Sequence, residues 1–300
     1  MLDRVKRRDF LKLAGIAGVA CSTALVGRSA AARAARRGAK EFYFLQMSDT
    51  HVGFADPRIN PEAAVTLEKA VATVNALPVR PDFIVFTGDL SHTTDDPVER
   101  RRRLTRFREL ASKLTVKDVR FLPGEHDASL DGGEAFRELF GWTHYTFDHE
   151  GVHFIVLDNV SDPTGSLGAA QLEWLRSDLA TRDRHQPIVV LTHRPLFDLA
   201  ADWDWTTRDG AEALALLEPF AAVTVFYGHI HQENHWTTGH IAHHAAKSLI
   251  FPLPAPHSVP KKAPIPWDAA QPFAGLGFRT AEVERGGKTP AISEWPAVRG

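Results

Sequence analysis

Phe42-Tyr43-Phe44-Leu45-Gln46-Met47-Ser48-Asp49-Thr50-His51 is a strand-length apolar run that breaks directly into a carboxylate and an imidazole. Moving outward, the same arrangement recurs. Phe83–Thr87 runs into Gly88-Asp89, and Val119–Leu122 into Gly124-Glu125-His126-Asp127. Ile188–Thr192 runs into His193-Arg194, and Val223–Tyr227 into Gly228-His229-Ile230-His231. These short β-rich runs, with His153–Leu157, read as buried strands. Between them Pro61–Leu77, Pro97–Leu114, Gly133–Phe140, Ala169–Thr181 and Arg208–Leu217 carry helical patterns. The alternation predicts a layered α/β domain. Tyr145–Asp148, a Glu150-Gly151 turn and Val152–Asp158 predict an antiparallel hairpin, so the sheets are expected to be mixed.

A lone Asp or His after a strand is ordinary turn chemistry. Five such clusters in succession are not. In open α/β sheets, ligand sites form beyond the carboxyl ends of strands, where loops distant in sequence converge. Glycine before Asp89, Glu125 and His229 allows a sharp turn beside each side chain. One metal site served by all five loops is the reading that explains them together.

The 300 residues are 44% hydrophobic and 24% charged, which excludes collagen-like, coiled-coil and disordered chains. One cysteine, Cys21, excludes a disulfide framework and a cysteine-based zinc site; the fifteen histidines leave His, Asp and Glu as metal ligands. Residues 1–40 hold ten Lys/Arg and two Asp/Glu, while residues 41–300 hold 25 and 35, a net charge of −10. An acidic body of this kind disfavours nucleic-acid polymers as partners. The basic excess lies in Lys6-Arg7-Arg8-Asp9-Phe10-Leu11-Lys12, followed by an apolar run from Leu13 to Gly27. This leader resembles a twin-arginine signal, which implies export of the folded, metal-loaded protein by the twin-arginine translocase to the periplasm or beyond. Cleavage after Ala30 or Ala32, lipidation at Cys21 and an uncleaved membrane anchor are the alternatives for its fate. The expected organisation is a signal and cleavage region over residues 1–34, a catalytic domain over 41–255 and a cover segment over 256–300. Nine of the nineteen prolines fall between Pro252 and Pro296.

The ordered clusters Asp-x-His, Gly-Asp, Gly-Glu-His-Asp, His and Gly-His-x-His resemble the calcineurin-like metallophosphoesterase superfamily. The spacings resemble its compact subgroup, which includes class III cyclic-nucleotide phosphodiesterases. The resemblance implies a four-layer α/β/β/α sandwich and a hydrolase with two metal ions. It places Asp49, His51 and His231 on one ion, Asp89 as the bridge, and Glu125, His193 and His229 on the other. It also implies attack by a metal-bridging hydroxide on a small phosphodiester or phosphomonoester, with His126 as general acid. Asp127 either orients His126 or caps a helix.

The family's third block carries asparagine where this chain has Glu125. With two divalent ions, a hydroxide, Asp49 and Asp89, the ligand set sums to +1; Glu125 makes it zero, and one trivalent ion restores +1. The expectation is therefore iron with manganese, zinc or a second iron, or else an exported metal-binding accessory protein with little activity. Any iron is expected to lack the tyrosinate of purple acid phosphatases, because His92 stands at that position. Arg194 either pairs a phosphate oxygen or forms a structural ion pair. Trp203 and Trp205 either stack on a substrate or pack in the protein. The sequence does not choose an oligomeric state.

Overall fold

The computed structural model describes residues 42–284, 287 and 289–298; the leader expected over residues 1–34 lies outside them. Among the described residues two mixed sheets face one another. The first orders its strands β11 (Ala291–Pro296), β10 (Gly277–Val283), β1 (Phe42–Met47), β2 (Phe83–Thr87) and β3 (Val119–Leu122). The second orders β4 (Tyr145–His149), β5 (Val152–Val156), β6 (Ile188–Leu191), β7 (Val223–Tyr227), β9 (Ile241–Ala245) and β8 (Asn234–Thr238). Strands β1, β2 and β3 run parallel, as do β5, β6, β7 and β9.

Period two sorts each central strand's side chains onto two buried faces. Phe44, Phe83, Val85, Phe154, Val189, Leu191 and Phe226 fill the space between the sheets. The alternate residues Leu45, Met47, Ile84 and Phe86 meet helices α1 (Ala63–Asn75) and α2 (Pro97–Ala111). On the far side Ile155, Val190 and Val225 meet α5 (Ala169–Leu179) and α6 (Gly210–Leu217). Two short helices, α3 (Glu125–Ala128) and α4 (Glu134–Phe140), follow β3. The result is the expected α/β/β/α layering.

Most expected elements stand within a few residues of their sequence bounds. Glu150 and Gly151 both take positive φ, 45° and 86°, as a two-residue hairpin turn with right-handed strand twist demands. Helix α2 opens on Pro97 with Asp96 accepting from Val98 N at 2.9 Å. The C-terminal segment divides between two roles. Residues 252–276 are largely irregular, whereas β10 pairs antiparallel with β1 inside the first sheet. The cover segment thus also supplies two strands, β10 and β11, to the first sheet.

Candidate metal centre

The carboxyl ends of β1, β2, β3, β6 and β7 open on the same edge of the sandwich, and the five loops meet there. Backbone hydrogen bonds carry the β1–β2 pairing past the strand ends: Asp49 N donates to Gly88 O at 3.0 Å and His51 N to Asp89 O at 2.9 Å. The two sheets are tied by His229 N, which donates to the Asp49 carboxylate at 3.1 Å, and by Gln46, whose amide reaches Thr87 and Tyr227. Asp49, His51, Asp89, His229 and His231 all take left-handed backbone conformations, with φ between 42° and 65°. For non-glycine residues this costs about 1–3 kcal/mol each, and such strain gathers where geometry serves function. Close approach also explains the glycines. A Cβ on Gly124 would overlap Asp89, and one on Gly228 would overlap Ser48.

The seven expected ligands form two groups. Asp49, His51, Asp89 and His231 bring ligand atoms within 4.8 Å of one another, as do Glu125, His193 and His229. Asp89 joins them: its Oδ2 lies 3.3 Å from His51 Nε2 and 3.5 Å from His193 Nε2, while Oδ1 is held by His126 N at 3.0 Å. Carbonyls fix the tautomers. His193 Nδ1–H donates to Thr87 O at 2.7 Å, His231 Nδ1–H to Phe251 O at 2.8 Å, and His229 Nε2–H to Asp204 O at 2.8 Å. Each ring therefore turns its unprotonated nitrogen to the centre, the arrangement metal-binding histidines use.

The donor set fits metal ions on its own geometry. His193 Nε2 lies 2.8 Å from Glu125 Oε2, and His229 Nδ1 lies 2.9 Å from Glu125 Oε1. Yet His193 Nε2, His229 Nδ1 and Glu125 Oε2 are buried without hydrogen-bond partners. Lone pairs this close, out of water, call for a cation between them. Without one, a proton is drawn in: burial opposes charge on His193, but Asp89 and Glu125 outweigh it and hold its pKa well above the ordinary value. Burial instead pushes His51 well below its usual value, which keeps it neutral for ligation.

His126 is 27% exposed at the rim, with Nε2 3.9 Å from Asp89 Oδ2. Thr93 N donates to its Nδ1 at 3.2 Å, so the neutral ring carries its proton on Nε2, the atom facing the centre. Asp127 does not orient this ring. Its buried carboxylate accepts from Leu90 N, Ser91 N, Ser91 Oγ and Gly124 N at 2.8–3.0 Å, pinning the β2 loop to the β3 loop. Burial and the nearby Asp89 push its pKa up to about 7.

The sequence pattern of calcineurin-like phosphoesterases matches residues 42–233. The chain belongs to the calcineurin-like phosphoesterase family. Among curated members it is 30% identical over 219 residues to a cAMP/cGMP dual specificity phosphodiesterase of Mycobacterium tuberculosis, covering 68% of this chain and 66% of the relative. It is 28% identical to a 3',5'-cyclic-nucleotide phosphodiesterase of a Nostoc species, covering 63% of this chain and 71% of the relative. The chain thus spans about two thirds of the length of these relatives. Two solved structures share the fold. One is a purple acid phosphatase from yellow lupin, with TM-score 0.60, 14% identity, and 86% and 52% of the two chains covered. The other is a dimetal phosphatase from Danio rerio, with TM-score 0.54, 17% identity, and 84% and 98% covered.

The family resemblance places one asparagine where this chain has Glu125, and Glu125 has a cationic neighbour. Arg194 is 8% exposed; its Nε lies 3.9 Å from Glu125 Oε2 and its NH1 donates to Asp204 Oδ1 at 2.7 Å. Trp203 and Trp205, expected as stacking platforms or packing, are 5% and 0% exposed. They belong to the cluster of Tyr227, Ile230, Ile250 and Phe251, so the stacking expectation is corrected: no face of Trp205 is free. No motif in the sequence marks Lys262 as a neighbour of the site. This residue of the proline-rich segment donates from Nζ to Trp203 O at 2.6 Å. Burial lowers its pKa, while Glu125 and Asp204 push it back up. Thr93 is equally unmarked, its only sequence signal being its place four residues after Asp89.

Proposed function

We propose that the protein is a dinuclear-metal phosphoesterase that hydrolyses a small phosphodiester in preference to a phosphomonoester. Asp49, His51 and His231 would hold one ion, Glu125, His193 and His229 the other, with Asp89 shared. Two such ions supply Lewis acidity toward a phosphoryl oxygen and activate water. The donor set of three carboxylates and four imidazoles suits iron, manganese or zinc. The protein's own contribution begins with the carbonyl-fixed rings, which hold the ligand lone pairs in place before metal arrives. His126 then protonates the leaving alkoxide from Nε2, the nitrogen left carrying the proton when Thr93 caps Nδ1.

The observation that carries this reading is Asp89 Oδ2, within 3.5 Å of imidazole nitrogens from both groups and 3.9 Å from His126 Nε2. The cyclic-nucleotide phosphodiesterases among the relatives support a diester. The protein purified with its native metals is to be assayed on bis(p-nitrophenyl) phosphate and p-nitrophenyl phosphate beside His126→Ala. The expected result is a faster diester reaction and a loss of about 10²–10⁴-fold in the variant. Two bound metals with no turnover on either ester would favour the accessory-protein reading that Glu125 raises. Export through the twin-arginine pathway is part of the proposal, supported by the leader's sequence. Retention of an Arg7→Lys/Arg8→Lys variant in the cytoplasm checks it, and unchanged export would refute it.

A further inference from the structure

We propose that Arg194 and Lys262, with Asp204 tethering Arg194, form the anion-recognising arm of the centre, and that Arg194 is the electrostatic partner of Glu125. The inference rests on the phosphoesterase reading and names the part of the site that meets the ester's negative charge. Three observations carry it. Arg194 is a buried cation with an unpartnered Nε 3.9 Å from the second oxygen of Glu125. Its other tether, Asp204, is 61% exposed at the side chain and free to yield its place to a phosphate oxygen. Lys262 is anchored on Trp203 O, one residue from Asp204, and shares the electrostatic surroundings of Glu125, Asp204 and Arg194.

Charge explains why an arm of this composition accompanies Glu125. Two divalent ions, a hydroxide and the carboxylates of Asp49, Asp89 and Glu125 sum to zero, which leaves no pull on an anionic ester. Arg194 and Lys262 add two positive charges, and Asp204 removes one. The centre returns to +1, the value that two divalent ions would give with an uncharged residue at position 125. That charge matches a phosphodiester monoanion. A trivalent ion is then not required, because the protein supplies the compensation that a ligand-only count assigns to the metal. Arginine suits the position because its planar fork donates to two oxygens at once. Asp204 does double duty, since its backbone carbonyl holds His229 while its carboxylate holds Arg194.

The test uses the full metal-loaded chain and the variants Arg194→Met, Lys262→Met, Lys262→Arg, Asp204→Asn, Glu125→Gln and Glu125→Gln/Arg194→Met. Bound metal is quantified in each. Inorganic phosphate binding is measured by calorimetry at fixed salt, and KM and kcat on bis(p-nitrophenyl) phosphate. Arg194→Met is expected to weaken phosphate binding about tenfold and Lys262→Met about threefold, with Lys262→Arg restoring it. Asp204→Asn keeps its carbonyl and frees Arg194, so phosphate is expected to bind more tightly, a change of sign that structural damage would not produce. In the Glu125→Gln background the Arg194→Met loss is expected to shrink to threefold or less. Unchanged phosphate binding in both Arg194→Met and Lys262→Met, or weaker binding in Asp204→Asn, would overturn the arm. Strict additivity of the Glu125 and Arg194 changes would overturn their partnership. Should Arg194→Met lose its metal, Lys262→Met and Asp204→Asn still decide. A wild-type protein that binds phosphate through these residues but turns over neither ester would leave the arm standing and sink the hydrolase reading.

Discussion

His51 turns Nε2 to the candidate metal centre and places Nδ1 3.2 Å from Nδ1 of His92. One of the two must donate and the other accept. The proposed ligand role requires an unprotonated Nε2 on His51, and in that tautomer His51 donates and His92 accepts. Burial and the neighbouring His126 lower the His92 pKa to about 4, which keeps the accepting nitrogen bare near neutrality. His92 also stacks on the His126 ring at 5.0 Å. It is a positioning residue for both.

His92→Ala is therefore expected to weaken metal binding by about 10–100-fold, the usual effect of losing the hydrogen-bond partner of a ligating histidine. Metal titration of the apoprotein checks this, and an unchanged affinity would show that His51 is oriented by its loop alone.

Asp127 gives the second prediction. Its carboxylate gathers donors from two loops that carry Asp89 and Glu125. Asp127→Ala strands three buried N–H groups and is expected to cost about 3 kcal/mol of stability, with activity falling as the two loops part. Denaturant unfolding of the metal-loaded variant reads the cost. A variant of wild-type stability that had lost only activity would instead assign Asp127 a part in the chemistry.

The strands and the seven expected ligands were legible because two strong constraints act on them. Strands buried on both faces must be apolar along their length, and ligands at a shared edge must follow at once where the apolar run stops. Asp49 and His229 show this: each is set two residues after its strand. His92, Thr93, Asp204 and Lys262 obey no such rule. They reach the centre from loops and from an irregular proline-rich segment, where side-chain direction depends on tertiary packing rather than period. The tryptophans left stacking and packing both open for the same reason, since nearness to His193 in sequence does not say which way an indole faces. His235, on β8, turns to His244 and Glu233 rather than to the centre.

Packing of the tryptophans is testable by a division between stability and substrate effects. Trp205→Ala empties a fully buried indole site and is expected to cost about 3–5 kcal/mol. The milder Trp205→Phe is expected to lower the melting temperature while leaving KM on bis(p-nitrophenyl) phosphate within twofold. A raised KM with unchanged stability would return the indole to the substrate.

Two histidines remote from the centre tie stability to pH. His243 is wholly buried against Phe197, both ring nitrogens lack partners, and burial lowers its pKa to about 4. His244 is lowered to about 3 by burial, then by Arg279 and neighbouring histidines. In the unfolded chain both titrate near 6.5. Between the two values the unfolded state binds protons that the folded state refuses, so stability rises with pH across this window. The contribution is fully present above about 6.5 and is lost as pH falls toward 4, at up to about 1.4 kcal/mol per pH unit for each histidine. His243→Leu keeps an apolar filler and removes one titrating group. Its stability is expected to equal or exceed the wild type at pH 5 and to fall less steeply between pH 6.5 and 4.5. Urea unfolding at four pH values measures both slopes, and parallel curves would show that His243 takes up its proton without unfolding the sheet.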